Sequence, residues 1–208
     1  MADKFLTQGD NSGWLLVRRV RNNERTALPH YLKVDHTATR TDPRLDAHQR
    51  RDFFKALEGS YNGAEFSVAL KADGSSYLTT TGQHLTAARV VLDRTGRRVW
   101  YGEGAAAVGP LSAEIDSYNP IPFGTYELEI PDAPHGGGRG YTNRSSYATV
   151  WFRIRPSGAN TSLDRYFHPG RVSAGCVTVT DIDRWTAAYE YLINRRKDDV
   201  SVGTITVL

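Results

Sequence analysis

Short apolar or alternating runs, each of strand length, recur along the chain. They comprise Trp14 to Val20, Glu65 to Leu70, Ala88 to Leu92, Val99 to Tyr101, Thr125 to Ile130, Ala148 to Ile154 and Val202 to Val207. Their content of Val, Ile, Thr, Tyr and Trp suits a pleated, half-buried surface. Clusters of Gly, Pro, Asn and Asp separate them, and Asp93-Arg94-Thr95-Gly96 reads as a hairpin turn between two of the runs. Two stretches follow helical spacing instead. Leu45 to Leu57 ends at Glu58-Gly59, and Asp183 to Arg196 repeats Trp185, Ala188, Tyr189 and Leu192 on one face, with Thr180-Asp181 as capping residues. The pattern predicts a mainly β protein with a C-terminal helix and few others. A boundary falls near Thr79 to Leu85, leaving residues 1–84 as an N-terminal part whose role the pattern does not define.

Composition narrows the classes. A chain of 208 residues suits one compact domain, or one domain with a small appendage. Apolar residues at 39% and charged residues at 24% supply a core and argue against wholesale disorder. The net charge is only +3, with basic residues interspersed among acidic ones, which gives nucleic-acid binding little support. The start, MADKFLTQGDNSGW, lacks a cationic segment followed by an apolar run, and no stretch approaches membrane-spanning length. The expectation is a chain with no signal peptide and no membrane span. His30, His36, His48 and His84 form no ligand spacing, so no metal site is predicted.

The single cysteine decides the functional reading. It lies in Tyr166-Phe167-His168-Pro169-Gly170-Arg171-Val172-Ser173-Ala174-Gly175-Cys176-Val177-Thr178-Val179-Thr180-Asp181. A thiol becomes a nucleophile when an imidazole takes its proton, and it needs open backbone around it so that a carbonyl carbon can approach. His168 supplies the imidazole; Gly170 and Gly175 supply the openness. Backbone N–H groups near the turn suit the oxyanion of a tetrahedral intermediate, and Ser173 is placed to orient the histidine or the substrate. On the residues alone a second reading stands beside this one: Cys176 as a small buried residue at the head of the strand-like Val-Thr-Val-Thr run.

Ser173-Ala174-Gly175-Cys176-Val177 resembles the Ser-x-Gly-Cys-Ile/Val signature of L,D-transpeptidase catalytic domains, and His168-Pro169-Gly170 is similar to that family's upstream histidine-glycine element. Pro120-Ile121-Pro122-Phe123-Gly124-Thr125-Tyr126 resembles its proline-containing segment ahead of the catalytic stretch. The likeness runs over roughly Ala88 to Thr180, in the family's order. It implies a twisted β-sheet or sandwich over residues 85–208, with Cys176 as nucleophile, His168 as base, peptidoglycan stem peptides as substrate and no cofactor. Many members carry an arginine two positions after the cysteine, where this chain has Thr178. That difference implies a divergent specificity, and the short His-to-Cys spacing together with the expected lack of a signal peptide resembles the branch of secreted effectors, which implies action in the periplasm or cell wall, a secretion-machine or immunity partner, and hydrolysis as well as transfer. The rival from another class is a non-catalytic module that binds cell wall or a partner protein on a degenerate transpeptidase fold.

Lesser candidates complete the reading. His135 lies in Pro134-His135-Gly136-Gly137-Gly138-Arg139, a loop suited to close over substrate. Arg171 and Arg139 have the fork that clamps a carboxylate. Tyr166, Tyr141, Tyr147 and Trp151 suit either a sugar-peptide groove or the bracing of the sheet.

Overall fold

In a computed structural model the chain is described over residues 4–7, 9–81, 84–156 and 164–208. It divides into two compact units, Met1–Gln83 and His84–Leu208. Of the boundary stretch expected from the sequence, Gly82 and Gln83 lie outside the described residues.

The first unit is a seven-stranded sheet, larger than the small appendage expected. Its strands are β1 (Lys4–Leu6), β2 (Trp14–Arg19), β3 (Arg25–Pro29), β4 (Lys33–Asp42), β5 (Asp46–Ala56), β6 (Glu65–Ala69) and β7 (Leu78–Thr79), in the order β3-β2-β6-β5-β4-β1-β7. The helix expected over Leu45 to Leu57 is β5. Its Ala, Gln, Arg and Lys content favours helix locally, but the strand is bonded on both sides, to β4 and to β6, while burying Phe53, Phe54 and Ala56. Two ladders of backbone hydrogen bonds and that burial outweigh a propensity of at most a few tenths of a kcal/mol per residue, on the order of the measured scales.

The second unit is a closed barrel. Its strands are β8 (Ala88–Asp93), β9 (Arg98–Tyr101), β10 (Val108–Ile115), β11 (Gly124–Glu129), β12 (Phe152–Pro156), β13 (Arg165–Pro169), β14 (Val177–Val179) and β15 (Ser201–Val207), ordered β10-β14-β13-β12-β11-β15-β8-β9. Among the described strands of the barrel, β13–β14 and β15–β8 are the parallel pairs. The turn at Asp93 joins β8 to β9, as its residues predict, with the Asp93 carboxylate accepting from the Gly96 N–H at 2.8 Å. Of the run Ala148 to Ile154, only the part from Phe152 is strand; the residues before it turn, with Val150 N–H donating to Tyr147 O.

Helix α1 (Trp185–Ile193) forms where spacing predicts it and buries Trp185, Ala188, Tyr189, Leu192 and Ile193. The expected side-chain cap is absent, because Asp181 accepts instead from the backbone N–H of Ser112 at 2.8 Å and ties the entry of the helix to β10. Trp185 meets Phe167 of β13 and Phe152 of β12 edge-on, which fixes those two positions on the core side. Among the described residues no helix is long and apolar enough to cross a membrane.

Candidate active site around Cys176

Strand alternation sends neighbours of a core-facing residue to the opposite face. Phe167 faces the core, so Tyr166 and His168 project from the other side of β13. Parallel pairing sets His168 opposite Thr178 and Phe167 opposite Val177, which brings Thr178 to the face of His168. Cys176 ends the loop just before β14. Three of the predicted residues, Tyr166, His168 and Cys176, are therefore gathered at one parallel strand pair, although the cysteine lies eight positions after the histidine in sequence.

The cysteine is half-buried, and its Sγ accepts a hydrogen bond from the Tyr166 N–H at 3.4 Å. Burial pushes the thiol pKa up, while the Tyr166 N–H and the Arg165 guanidinium act in the opposite sense. A thiol is thus the resting form near neutral pH.

His168 is 5% exposed, and burial lowers its pKa to about 4, leaving the ring neutral. Its Nδ1 lies 3.0 Å from the carbonyl oxygen of Pro169. A carbonyl only accepts, so Nδ1 carries the hydrogen and Nε2 carries the lone pair. Nε2 is met by Thr178 Oγ1 at 3.1 Å. Both ring nitrogens are thereby engaged, and no hydrogen bond joins His168 to Cys176. The imidazole stacks on Trp151 at 4.0 Å between ring centroids.

His135 stacks on Trp151 at 4.5 Å and 2°, and it meets Tyr166 edge-on. Its Nε2 is buried without a hydrogen-bond partner. The segment expected as a loop free to close is a short 3-10 turn, Gly136–Tyr141, held against the aromatic group. A Cβ at Gly137 would come within 2.9 Å of the Trp151 ring, and one at Gly138 within 2.0 Å of the Ala148 carbonyl oxygen, so the glycines there permit packing rather than motion.

Arg165, which no motif marked, shapes the loop beneath the sulfur. Its Nη1 donates to the carbonyl oxygens of Asn119 and Gly175, and its Nη2 donates to Asn119 Oδ1 at 2.7 Å. Gly175 has φ +94, and a Cβ there would lie 3.0 Å from Arg165 Nη1 and 3.2 Å from Asn119 Nδ2. Glycine is demanded twice, by backbone conformation and by the approach of the guanidinium. Ser173 donates to the Cys176 carbonyl oxygen at 2.7 Å, so it braces the loop and does not orient the histidine. At Gly170 a Cβ would meet Thr178 Cγ2 at 3.1 Å, and Arg171 is exposed beside it. Tyr147 stacks on Tyr189 of α1, which makes it part of the core bracing. Among the described residues no group of three or more His, Cys, Asp or Glu side chains could hold a metal ion.

No family model matches the chain, and no curated protein does. Among solved structures the chain is similar to L,D-transpeptidase 1 of Mycobacterium tuberculosis, at 12% identity and a TM-score of 0.36, covering 84% of this chain and 85% of that one. It is also similar to an L,D-transpeptidase from the same organism, at 15% identity and a TM-score of 0.37, covering 97% and 95%. Likeness so slight transfers no role to any residue, and the chemistry rests on the contacts given above.

Proposed function

We propose that residues 84–208 form a cysteine acyl-transfer enzyme of the L,D-transpeptidase type, working on peptidoglycan stem peptides in the periplasm or cell wall. The observation that carries this reading is that the parallel β13–β14 pair holds a neutral His168 and, just before β14, the Cys176 sulfur, which accepts from the Tyr166 N–H at 3.4 Å. The stem-peptide substrate is what the resemblance of Ser173-Ala174-Gly175-Cys176, in order with His168 and Pro122-Phe123-Gly124, to L,D-transpeptidase motifs implies.

The resting thiol and imidazole are both uncharged, so the proton must move as the sulfur attacks. In the proposed reaction the S–H bond breaks, an N–H bond forms at His168 Nε2, and the thiolate adds to a stem-peptide carbonyl. The tetrahedral intermediate collapses to a thioester, and the departing amine takes the proton from the imidazolium. An acceptor amine or water then attacks the thioester and frees the thiol. Nδ1 stays tied to the Pro169 carbonyl throughout, which keeps Nε2 as the working nitrogen; its one lone pair takes the thiol proton once the Thr178 hydroxyl, 3.1 Å from Nε2, has turned away to the Val172 carbonyl oxygen at 3.2 Å. Tyr166, Trp151 and His135 offer an aromatic wall for the substrate, and the exposed Arg171 suits a carboxylate.

The rival reading, a binding module with an idle thiol, has one observation in its favour: His168 and Cys176 share no hydrogen bond in the free protein. Incubating muropeptides with the wild type and with Cys176→Ala, and identifying products by mass spectrometry, separates the two. Trimmed, cleaved or exchanged stem peptides with the wild type alone support the enzyme, whereas unchanged muropeptides with both proteins support the module.

A further inference from the structure

The hydroxyl of Thr178 has one hydrogen and two acceptors within reach. One is His168 Nε2 at 3.1 Å, and the other is the Val172 carbonyl oxygen at 3.2 Å. Thr178 is fully buried, so no bulk water competes for either. With the ring neutral, Nε2 holds a lone pair and can only accept, and the hydroxyl must point at it. With the ring charged, Nε2 bears a hydrogen and must donate, so the hydroxyl oxygen has to become an acceptor. The Val172 carbonyl then provides the place for the hydroxyl's own hydrogen.

We propose that Thr178 is a positioning residue for His168, a hydroxyl rotor that donates to Nε2 of the neutral imidazole and accepts from Nε2 of the imidazolium while donating to Val172 O. The proposal rests on the reading of His168 as the base. It gives a physical role to the position where the resembled family carries arginine. A fixed cation there would repel the imidazolium; a rotor accommodates both charge states without moving the ring. Val172 sits in the loop that leads to Cys176, so the same rotation links the charge on the ring to a bond that braces that loop.

Thr178 is also placed to bias the equilibrium. A hydrogen bond from a charged donor is roughly twice as strong as a neutral one, so the bond accepted from the imidazolium outweighs the bond given to the neutral ring. Deleting the hydroxyl should therefore lower the imidazole pKa further. The titratable side chains around the Trp151 on which the ring stacks are His135, stacked on that same indole and felt by His168, and Tyr166, which meets Trp151 and His135 edge-on. They are unchanged in any variant at 178.

The test is an NMR titration of the His168 ring in the wild type, Thr178→Ser, Thr178→Val and Thr178→Ala, with ring nitrogen shifts reporting the tautomer. The serine variant should titrate with the wild type. The valine and alanine variants should titrate lower by about half a unit to one unit, with Nδ1 still protonated. The alanine variant serves if valine does not fold. Valine and alanine titrating with the wild type would overturn the proposal, and so would serine shifting as far as they do, since packing rather than the hydroxyl would then be responsible. Titration needs no turnover. A shifted pKa in a protein inactive on every muropeptide would sink the enzyme reading and keep the rotor, while full activity with no shift would do the reverse.

Discussion

At the scale of single residues, the pair at the centre of the site is tuned away from a preformed thiolate and imidazolium. Burial raises one group and lowers the other, and each shift favours the uncharged form. Alkylation of Cys176 by iodoacetamide, followed by mass spectrometry, should therefore accelerate steadily through pH 9 and beyond. A plateau reached near neutral pH would mean that a thiolate already exists in the free protein. The glycine at 175 belongs to the same economy of space: its positive φ and the nearby guanidinium leave no room for a side chain, and the sulfur that follows is consequently presented on a short, stiff turn.

At the scale of elements, the site depends on how a loop is tied to a strand. Arg165 at the start of β13 links Asn119 and Gly175 with hydrogen bonds that a lysine could not reproduce, since an ammonium lacks the planar fork. Arg165→Lys should quicken amide exchange over residues 170–176 by about tenfold, corresponding to roughly 1.4 kcal/mol of lost tethering. Exchange in α1 should be unchanged. Equal protection in both proteins would show that the loop is held by Ser173 and its own backbone instead. The sequence revealed the cysteine loop through its Gly and Ser residues, but it gave no signal for Arg165 or Asn119, because they lie 11 and 57 positions from Cys176 in sequence and meet its loop only through tertiary contacts at Gly175.

At the scale of the molecule, buried neutral histidines couple folding to pH. His168 has its folded pKa lowered from 6.5 to about 4 by burial. The unfolded chain binds more protons than the folded one between those values, so stability is full above about pH 6.5 and is lost as pH falls toward 4. For one such group the loss approaches about 3 kcal/mol, from about 1.4 kcal/mol per pKa unit. His30 in the first unit is lowered to about 4 by the same cause, so each unit carries a slope of the same sign. Urea unfolding from pH 7 to pH 4.5, followed through amide exchange in β13 and α1, should show a weaker pH dependence in His168→Gln than in the wild type. Parallel curves would mean that His168 binds its proton equally well in the folded and unfolded chain, and the burial-lowered pKa would fall with that result.

What the sequence alone determined was local: the strand runs, the turn at Asp93, the face of α1, the lone thiol and the glycines beside it. Each depends on neighbours a few positions apart, where periodicity, turn chemistry and crowding act directly. The tertiary structure decided the rest. It made a strand of Asp46–Ala56 by bonding it on both sides, turned Asp181 from a helix cap to a tether on β10, and packed the Gly136–Tyr141 turn under Trp151. It also set Thr178 against His168. Those outcomes come from hydrogen bonds and ring contacts between segments far apart in the chain, whose partners no local pattern specifies.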